Sequence, residues 1–267
     1  MRTQERQQHL MKVAQKDGFV SISKTAEKFG VSVETIRRDI NELCRKNQLK
    51  KVHGGAAPIK SPIWRDSSFA ARTQQITPAK VAICQEAAKL IREFDVIALD
   101  CGATTECLAS FLKNIKHVTF VVNSLRVATI LADKVNSGEI EATVIMASGQ
   151  IITPTYRSHT MAALETIDKY HYSRVFTSAT GLTASGASAS GINLGNYVQH
   201  MMRRADSCVL VLESYKLGKH ALSDFAKLTD FDQIITDNQN PCPQEILDAL
   251  ADTKTVFTVV DCESPGK

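Results

Sequence analysis

The sequence predicts an α/β protein built from two unequal parts: a small helical N-terminal domain, and a larger domain with a mostly parallel sheet flanked by helices. Three observations lead to this prediction. Short amphipathic helices occupy the first part of the chain, apolar strands alternate with helices from residue 78 onward, and a proline-containing segment without sustained periodicity separates the two. We therefore predict domains over residues 1–57 and 78–267, joined by a linker over 58–77.

Charge is distributed unevenly along the chain. The net charge is +4, but residues 1–60 hold 13 Lys and Arg against 6 Asp and Glu, whereas the remainder holds 19 against 22. A basic first domain followed by a mildly acidic remainder indicates that the first domain meets a polyanion such as nucleic acid.

The composition is ordinary for a soluble globular protein, with 43% hydrophobic and 22% charged residues. No apolar run approaches the ~18 residues of a membrane helix, and the polar N-terminus does not resemble a signal peptide. The seven cysteines form no Cys-x-x-Cys pair, and none has a histidine at zinc-ligand spacing. We therefore expect reduced thiols, a cytoplasmic location, no metal site and no cofactor.

Two short helices are predicted at the start of the N-terminal domain. The first runs from about residue 6 to Asp17, where Gly18 ends its apolar stripe. After a short extended segment, Ser23 is the predicted N-cap of a second helix over Lys24–Phe29, which Gly30 ends.

The third helix, Val33 to about Lys46, carries the most information. Ser32 is its predicted N-cap, and Ile36, Ile40 and Leu43 form its buried stripe. The turn that precedes it is so short that the two helices must cross steeply, which exposes the N-terminal half of the third. An exposed basic helix fits the DNA major groove, where Arg can bind guanine and Asn can bind adenine. The residues outside the stripe are Glu34, Thr35, Arg37, Arg38 and Asn41.

A basic extended segment, Leu49–Gly55, follows the third helix and predicts a wing whose lysines lie on phosphates. The pattern is therefore that of a winged helix-turn-helix. The alternative is a solvated helical cap whose arginines serve only solubility, but the short turn, the basic helix, the basic wing and the charge asymmetry coincide. The predicted DNA contacts are Ser32, Glu34, Thr35, Arg37, Arg38, Asn41, Lys50, Lys51 and His53.

Continuous apolar strands alternate with helices in the second domain, as is typical of a parallel sheet covered on both faces. The predicted strands are Val96–Leu99, Val118–Val122, Ala142–Met146, Arg174–Ser178, Cys208–Leu212, Gln233–Thr236 and Thr255–Val260. The predicted helices are Pro78 to about Arg92, Thr104–Leu112, Leu125–Val135, Asn196–Arg204 and Pro243–Leu250. The stretch Thr177–Gly191 is either a lid or a long loop.

Small, hydroxyl or charged residues follow nearly every predicted strand, at the edge where such sheets bind ligands. The segment that follows the first predicted strand, residues 100–105, contains a glycine and then the N-terminus of a predicted helix. This arrangement suits a phosphate. Lys216 would add positive charge, and Asp100 and Asn123 would bind sugar hydroxyls. These residue types also form ordinary turns and caps, and that alternative stays open. The predicted effector site consists of Asp100, Gly102, Ala103, Thr104, Thr105, Asn123, Ser124, Gly149, Gly181 and Lys216.

Motifs in both domains resemble the DeoR family of bacterial sugar-metabolism regulators. The first-domain motif is Val31-Ser32-x-Glu34-Thr35-Ile36-Arg37-Arg38-Asp39-Ile40-x-x-Leu43, followed by Leu49-Lys50-Lys51-Val52-His53-Gly54-Gly55-Ala56. The second-domain motifs are Asp100-x-Gly102-x-Thr104-Thr105, Asn123-Ser124, Glu213–Gly218 and Ile234–Asp237. The resemblance implies an operator-reading third helix and a sheet similar to that of ribose-5-phosphate isomerase, used to sense a phosphorylated sugar. The sequence departs from the family pattern at Ala103, Ser148, Gly195, Glu213 and Tyr215.

We therefore expect a transcriptional regulator of a carbohydrate catabolic operon, acting as a repressor because the family is mostly repressors. It would bind double-stranded operator DNA as a homo-oligomer, dimer or tetramer, under the control of a sugar phosphate. One alternative is a sugar-phosphate isomerase-like enzyme with an added DNA-binding domain. Asp100, Glu213 and His220 are its acid/base candidates, but their spacing does not compel catalysis, so we expect no catalytic residues. A DNA architectural protein without a ligand is a third alternative.

Overall fold

The computed structural model describes residues 3–17, 20–46, 48–52, 55–58, 76–147, 149–153, 155–158 and 160–262. The chain divides into two compact units, Met1–Ile63 and Trp64–Lys267. The division falls within the predicted linker, most of which lies outside the described residues. None of the described helices is both long enough and apolar enough to cross a membrane.

The first unit packs helices against a small antiparallel sheet. Its elements are α1 (Thr3–Asp17), β1 (Val20–Ser21), α2 (Ile22–Phe29), α3 (Val33–Arg45), β2 (Leu49–Val52) and β3 (Gly55–Pro58). The strand order is β1-β3-β2, and both pairings are antiparallel. One apolar cluster joins the helices to the sheet: Leu10, Val20, Ala26, Ile36, Ile40, Leu43, Leu49 and Ala56. The winged helix-turn-helix arrangement predicted from the sequence is confirmed.

The start of α2 differs from the prediction. The helix begins at Ile22, directly after β1, so Ser23 lies within its first turn and does not cap it. The prediction of Ser23 as N-cap was wrong because the helix begins at Ile22 and not at Lys24, which places Ser23 inside the helix rather than at the extended position before it.

The second unit alternates strands and helices. Its elements are α4 (Pro78–Ala88), β4 (Val96–Leu99), α5 (Ala103–Phe111), β5 (Ile115–Val122), α6 (Leu125–Asn136), β6 (Ile140–Met146), α7 (Met161–Ile167), β7 (Arg174–Thr177), β8 (Gly181–Thr183), β9 (Gly186–Ala189), α8 (Ile192–Met202), β10 (Cys208–Val211), β11 (Ser223–Ala226), β12 (Gln233–Asp237), α9 (Gln244–Ala251) and β13 (Val256–Val260). Single 3₁₀ turns lie at Ser214–Lys216 and Leu228–Asp230.

A seven-stranded parallel sheet in the order β13-β12-β10-β7-β4-β5-β6 forms the centre of the second unit. The chain enters this sheet at β4 and adds β5 and β6 on one side. It then returns to the other side of β4 and adds β7, β10, β12 and β13 in turn. The topological switch therefore lies between β4 and β7, where the loops that leave the two strands diverge and a ligand site is favoured.

Helices cover both faces of the sheet, as β4 shows. Ala98 packs into one apolar cluster, which includes Tyr197 and Val198 of α8. Its neighbours Ile97 and Leu99 pack into the opposite cluster, together with residues of α4. Burial on both faces is the reason that these strands are apolar throughout.

The segment between β7 and α8 differs most from the prediction. The long-loop alternative is wrong, because Thr177–Gly191 contains the paired strands β8 and β9, to which β11 adds a third. β9, with the sequence Gly-Ala-Ser-Ala, is buried at every position. Its small residues show no apolar alternation, so the sequence pattern did not reveal a strand. α7 was also missed, and α8 begins at Ile192 rather than at Asn196.

Candidate DNA-reading surface and effector cleft

Ser32 begins α3 as the sequence predicted. Its Oγ accepts a hydrogen bond of 3.2 Å from the Thr35 backbone N–H. Gly30 supplies the turn before it with a positive φ of 60°, a conformation that favours glycine. Ile36, Ile40 and Leu43 are buried as one stripe, so the opposite face of the helix is directed outward.

The outward face of α3 carries the side chains predicted to contact DNA. Ser32, Glu34, Arg37, Arg38 and Asn41 are exposed, and Thr35 is half-buried. Arg37 Nη1 lies 3.5 Å from Glu34 Oε2, an exposed ion pair within one helical turn. The remaining predicted contacts are Lys50 and Lys51, which lie on β2 without described side chains, and His53, which lies outside the described residues.

Asp39 has a role that sequence analysis missed. It lies between Ile36 and Ile40 on α3 and is buried, with 3% of its surface exposed. Arg6 of α1 donates to it twice, Nε to Oδ2 at 2.7 Å and Nη2 to Oδ1 at 3.3 Å. An acid on the buried stripe of an amphipathic helix was the sequence signal, because such a charge requires a partner.

The loop from β4 to α5 forms the floor of a cleft in the second unit. Asp100 directly follows β4 and is buried. Thr177 Oγ1 donates to its Oδ2 at 3.1 Å, and Asn123 Nδ2 donates to its Oδ1 at 3.4 Å. Burial raises the pKa of Asp100 to about 6, although the Cys101 backbone, Thr177 and the charge of Arg157 oppose the rise. Residues at the carboxyl ends of β4, β5 and β7 are therefore joined by hydrogen bonds to the Asp100 carboxyl group.

Cations and small residues surround the opening of this cleft, which encloses about 50 Å³. Lys216 is buried, and its Nζ donates to Ser178 Oγ at 3.3 Å. The lining residues are Cys101, Gly102, Ala103, Arg157, Ser178, Ala179, Thr180, Ser190, Leu194, Glu213 and Lys216. The cleft lies at the β4–β7 switch, with the N-terminus of the nine-residue helix α5 in its wall.

Arg157 is a cleft residue that sequence analysis missed. Its backbone pairs with that of Ser124 on one side and Ile152 on the other, which fixes where the side chain starts. Its Nε is buried and has no hydrogen-bond partner among the described residues. No local pattern marks this arginine, because its approach to the cleft depends on the pairing of its segment with the exit of β5.

Of the ten predicted effector residues, Gly102, Ala103 and Lys216 line the cleft, and the other seven are not among its lining residues. Thr104 Oγ1 is buried without a partner among the described residues. Thr105 Oγ1 donates to the carbonyl oxygens of Asp100 and Gly102, and Ser124 caps α6, so both hydroxyls serve the local backbone.

Two of the three glycines of the predicted site, Gly149 and Gly181, permit close packing. A Cβ at Gly149 would lie 2.1 Å from Thr160 Oγ1, and one at Gly181 would lie 2.1 Å from the Lys219 carbonyl oxygen. Gly181 thereby lets β8 approach the segment that follows Lys216, where the Gly218 N–H donates to the Leu182 carbonyl at 2.8 Å. Among the described residues, no three His, Cys, Asp or Glu side chains are grouped as metal ligands.

Together these units define a class of protein: a DNA-binding transcriptional regulator with a separate sensor domain. The sequence matches the family models described as the DeoR-like helix-turn-helix domain over residues 6–62 and the DeoR C terminal sensor domain over residues 76–238. The chain therefore belongs to the DeoR family of helix-turn-helix transcriptional regulators.

Curated relatives agree with this assignment. The chain is 30% identical to the uncharacterized HTH-type transcriptional regulator YulB of Bacillus subtilis (strain 168), over 98% of each chain. It is 29% identical to the HTH-type transcriptional regulator UlaR of Shigella sonnei (strain Ss046), over 92% of this chain and 94% of that one. Ribose 5-phosphate isomerase A of Methanocaldococcus jannaschii is similar at a TM-score of 0.35 and 17% identity, covering 52% of this chain and 53% of that one.

Proposed function

We propose that this regulator represses a carbohydrate catabolic operon in the cytoplasm, and that a small phosphorylated sugar bound in the cleft controls its affinity for the operator. One observation carries the effector assignment: Lys216, Arg157 and the N-terminus of α5 line the same cleft at the topological switch. Two cations and a helix N-terminus favour an anion there.

A phosphate is the anion that this arrangement suits. The first backbone N–H groups of α5 have no partner within the helix, and Gly102 carries no side chain at the start of that helix. A guanidinium binds two phosphate oxygens at once, and an ammonium adds a point charge. Ala103, the first residue of α5, has no polar side chain and would bind the phosphate through its backbone N–H alone. Asp100 and Asn123, beneath the cleft, are the proposed partners of sugar hydroxyls.

Operator recognition is assigned to the outward face of α3 together with the wing. We propose the predicted set as contacts: Ser32, Glu34, Thr35, Arg37, Arg38, Asn41, Lys50, Lys51 and His53. An even-numbered homo-oligomer, dimer or tetramer, would place two α3 helices on operator half-sites. Repression is chosen because the family consists mostly of repressors.

Control of DNA binding requires the effector to favour one arrangement of the protein over another. The cleft encloses about 50 Å³, whereas small-molecule pockets typically enclose roughly 300–1,000 Å³. A sugar phosphate therefore has to widen it, which provides the structural difference that a switch needs. Sensing rather than isomerisation is the proposed role, since the named relatives are transcriptional regulators.

Thermal melting of the full chain against a panel of sugars, sugar phosphates and sugar acids tests this function, because a ligand of the native state raises its stability. We expect a shift confined to a phosphorylated compound, lost in Lys216→Ala and Thr104→Ala and kept in the exposed control Lys169→Ala. The same compound should change operator affinity. A shift with unphosphorylated sugars alone, or no shift across the panel, would contradict the assignment.

A further inference from the structure

The carboxylate of Glu213 connects the cleft to the beginning of the second unit. Glu213 lines the cleft and is 7% exposed. Its Oε1 accepts a hydrogen bond of 3.0 Å from Thr77 Oγ1, and its Oε2 lies 3.9 Å from Lys80 Nζ. Thr77 and Glu213 are 136 residues apart, so this contact exists only in the folded domain.

Thr77 has a second role at the same atom. Its Oγ1 accepts a hydrogen bond of 3.1 Å from the Lys80 backbone N–H, which makes it the N-cap of α4. α4 is the first described helix of the second unit, and Thr77 directly follows the segment that leads from the first unit. The Glu213 carboxylate therefore supports the cap at the point where the chain enters the sensor domain.

The backbone beside Glu213 is held in place, which leaves the side chain as the part able to respond. The Ser214 N–H donates to Asp237 Oδ2 at 2.7 Å, and Ser214 Oγ donates to Asp237 Oδ1 at 2.7 Å.

We infer that Glu213 is a positioning residue that transmits occupation of the cleft to the N-terminus of α4 through Thr77. The inference rests on the proposed function, since it requires an anion to bind beside Lys216. Such an anion repels the Glu213 carboxylate, and widening of the cleft displaces it. The bond to Thr77 is then weakened, and the first turn of α4 loosens where the chain arrives from the DNA-binding unit.

Hydrogen exchange of the full chain, with inorganic phosphate as the probe, tests this transmission. In the wild-type protein, phosphate should speed exchange of the Lys80 and Val81 amides by about fivefold or more, the lower end of allosteric coupling. In Thr77→Val, exchange should be fast without phosphate and unchanged by it, while phosphate still raises the melting temperature as in wild type. Thr77→Ser keeps the hydroxyl and should restore the response.

The outcomes separate this inference from the proposed function. A phosphate response in Thr77→Val equal to that of the wild type would overturn the transmission. The transmission would also be overturned if phosphate binds the wild-type protein but leaves amide exchange in α4 unchanged. That result would not contradict the proposed effector site. Failure of phosphate to bind at all would overturn the inference, which requires an anion beside Lys216, whereas the proposed function is decided by the panel of sugar phosphates.

Discussion

Arg6 and Asp39 form a buried ion pair that holds α1 to α3, the helix proposed to read DNA. Nε of Arg6 lies 2.7 Å from Oδ2 of Asp39, and the two side chains are 11% and 4% exposed. Asp39 is buried on the side of α3 away from its exposed face, so the pair helps to set which residues of α3 are directed outward. A buried charge retained beside an apolar core requires its partner, because an unpaired charge there is strongly unfavourable.

Loss of one member of this pair should destabilise the first unit more than loss of both. Arg6→Met leaves the Asp39 carboxylate without its partner and should cost about 3–5 kcal/mol, whereas Arg6→Met with Asp39→Leu should cost much less. Urea unfolding of the three proteins measures this. Equal destabilisation by the single and double variants would show that the pair does not behave as a buried charge pair.

Arg38→Ala should weaken operator binding by about 1–3 kcal/mol if Arg38 reads a base. Arg38 is exposed on the outward face of α3, beside Asn41. Binding is measured by fluorescence anisotropy on DNA that the protein selects from a random pool, with unselected DNA as the control. An equal loss on both would assign Arg38 to the phosphate backbone instead.

Lys51→Ala should weaken binding to all DNA about equally and reduce the salt dependence. Lys51 lies on β2, the first strand of the wing. Each phosphate contact releases counterions, so the slope of log K against log salt should fall by about 1. A salt titration from low to physiological ionic strength measures the slope, and an unchanged slope would remove this lysine from the interface.

Arg157→Ala should remove most of the phosphate-dependent rise in melting temperature. A hydrogen bond to a charged group contributes about 1.5–3 kcal/mol, so affinity should fall by about tenfold or more. Arg157→Lys should keep part of the response, because lysine supplies the charge without the bidentate geometry. Arg203→Ala, an exposed arginine on the same unit, is the control. Unchanged phosphate affinity in Arg157→Ala would exclude it from the site.

Asp100→Asn should stabilise the second unit more at neutral than at acidic pH. The folded-state pKa of Asp100 is about 6, above the ~3.9 of an unperturbed aspartate. The folded chain therefore holds an extra proton between these values, and wild-type stability falls as pH rises through that window.

The Asn variant has no carboxyl to ionise at this position. Its stability relative to the wild type should therefore rise between about pH 4 and about pH 7, by about 2 kcal/mol. Urea unfolding at both pH values measures the difference. Asp252→Asn, at an exposed position, should show no such trend. A pH-independent difference for Asp100→Asn would place its ionisation outside this window.

Local patterns in the sequence determined α3, the strands of the parallel sheet and the family. The Ser32 cap and the Ile36, Ile40 and Leu43 stripe lie within one helix, and β4 occupies the predicted residues Val96–Leu99. Caps, helical periods and buried strands are encoded within about ten neighbouring residues, so they can be read without knowing the fold. The loop that follows β4, residues 100–105, could be located in the sequence for the same reason.

Tertiary structure alone decided the partners of the charged residues. The Arg6–Asp39 and Thr77–Glu213 contacts span 33 and 136 residues, and Arg157 reaches the cleft through pairing with the exit of β5. Which side chains meet depends on the strand order and on which segments become neighbours, and local periodicity encodes neither. The strand at Gly186–Ala189 was missed because small residues carry no such period, and only pairing with β8 and β11 makes them a strand.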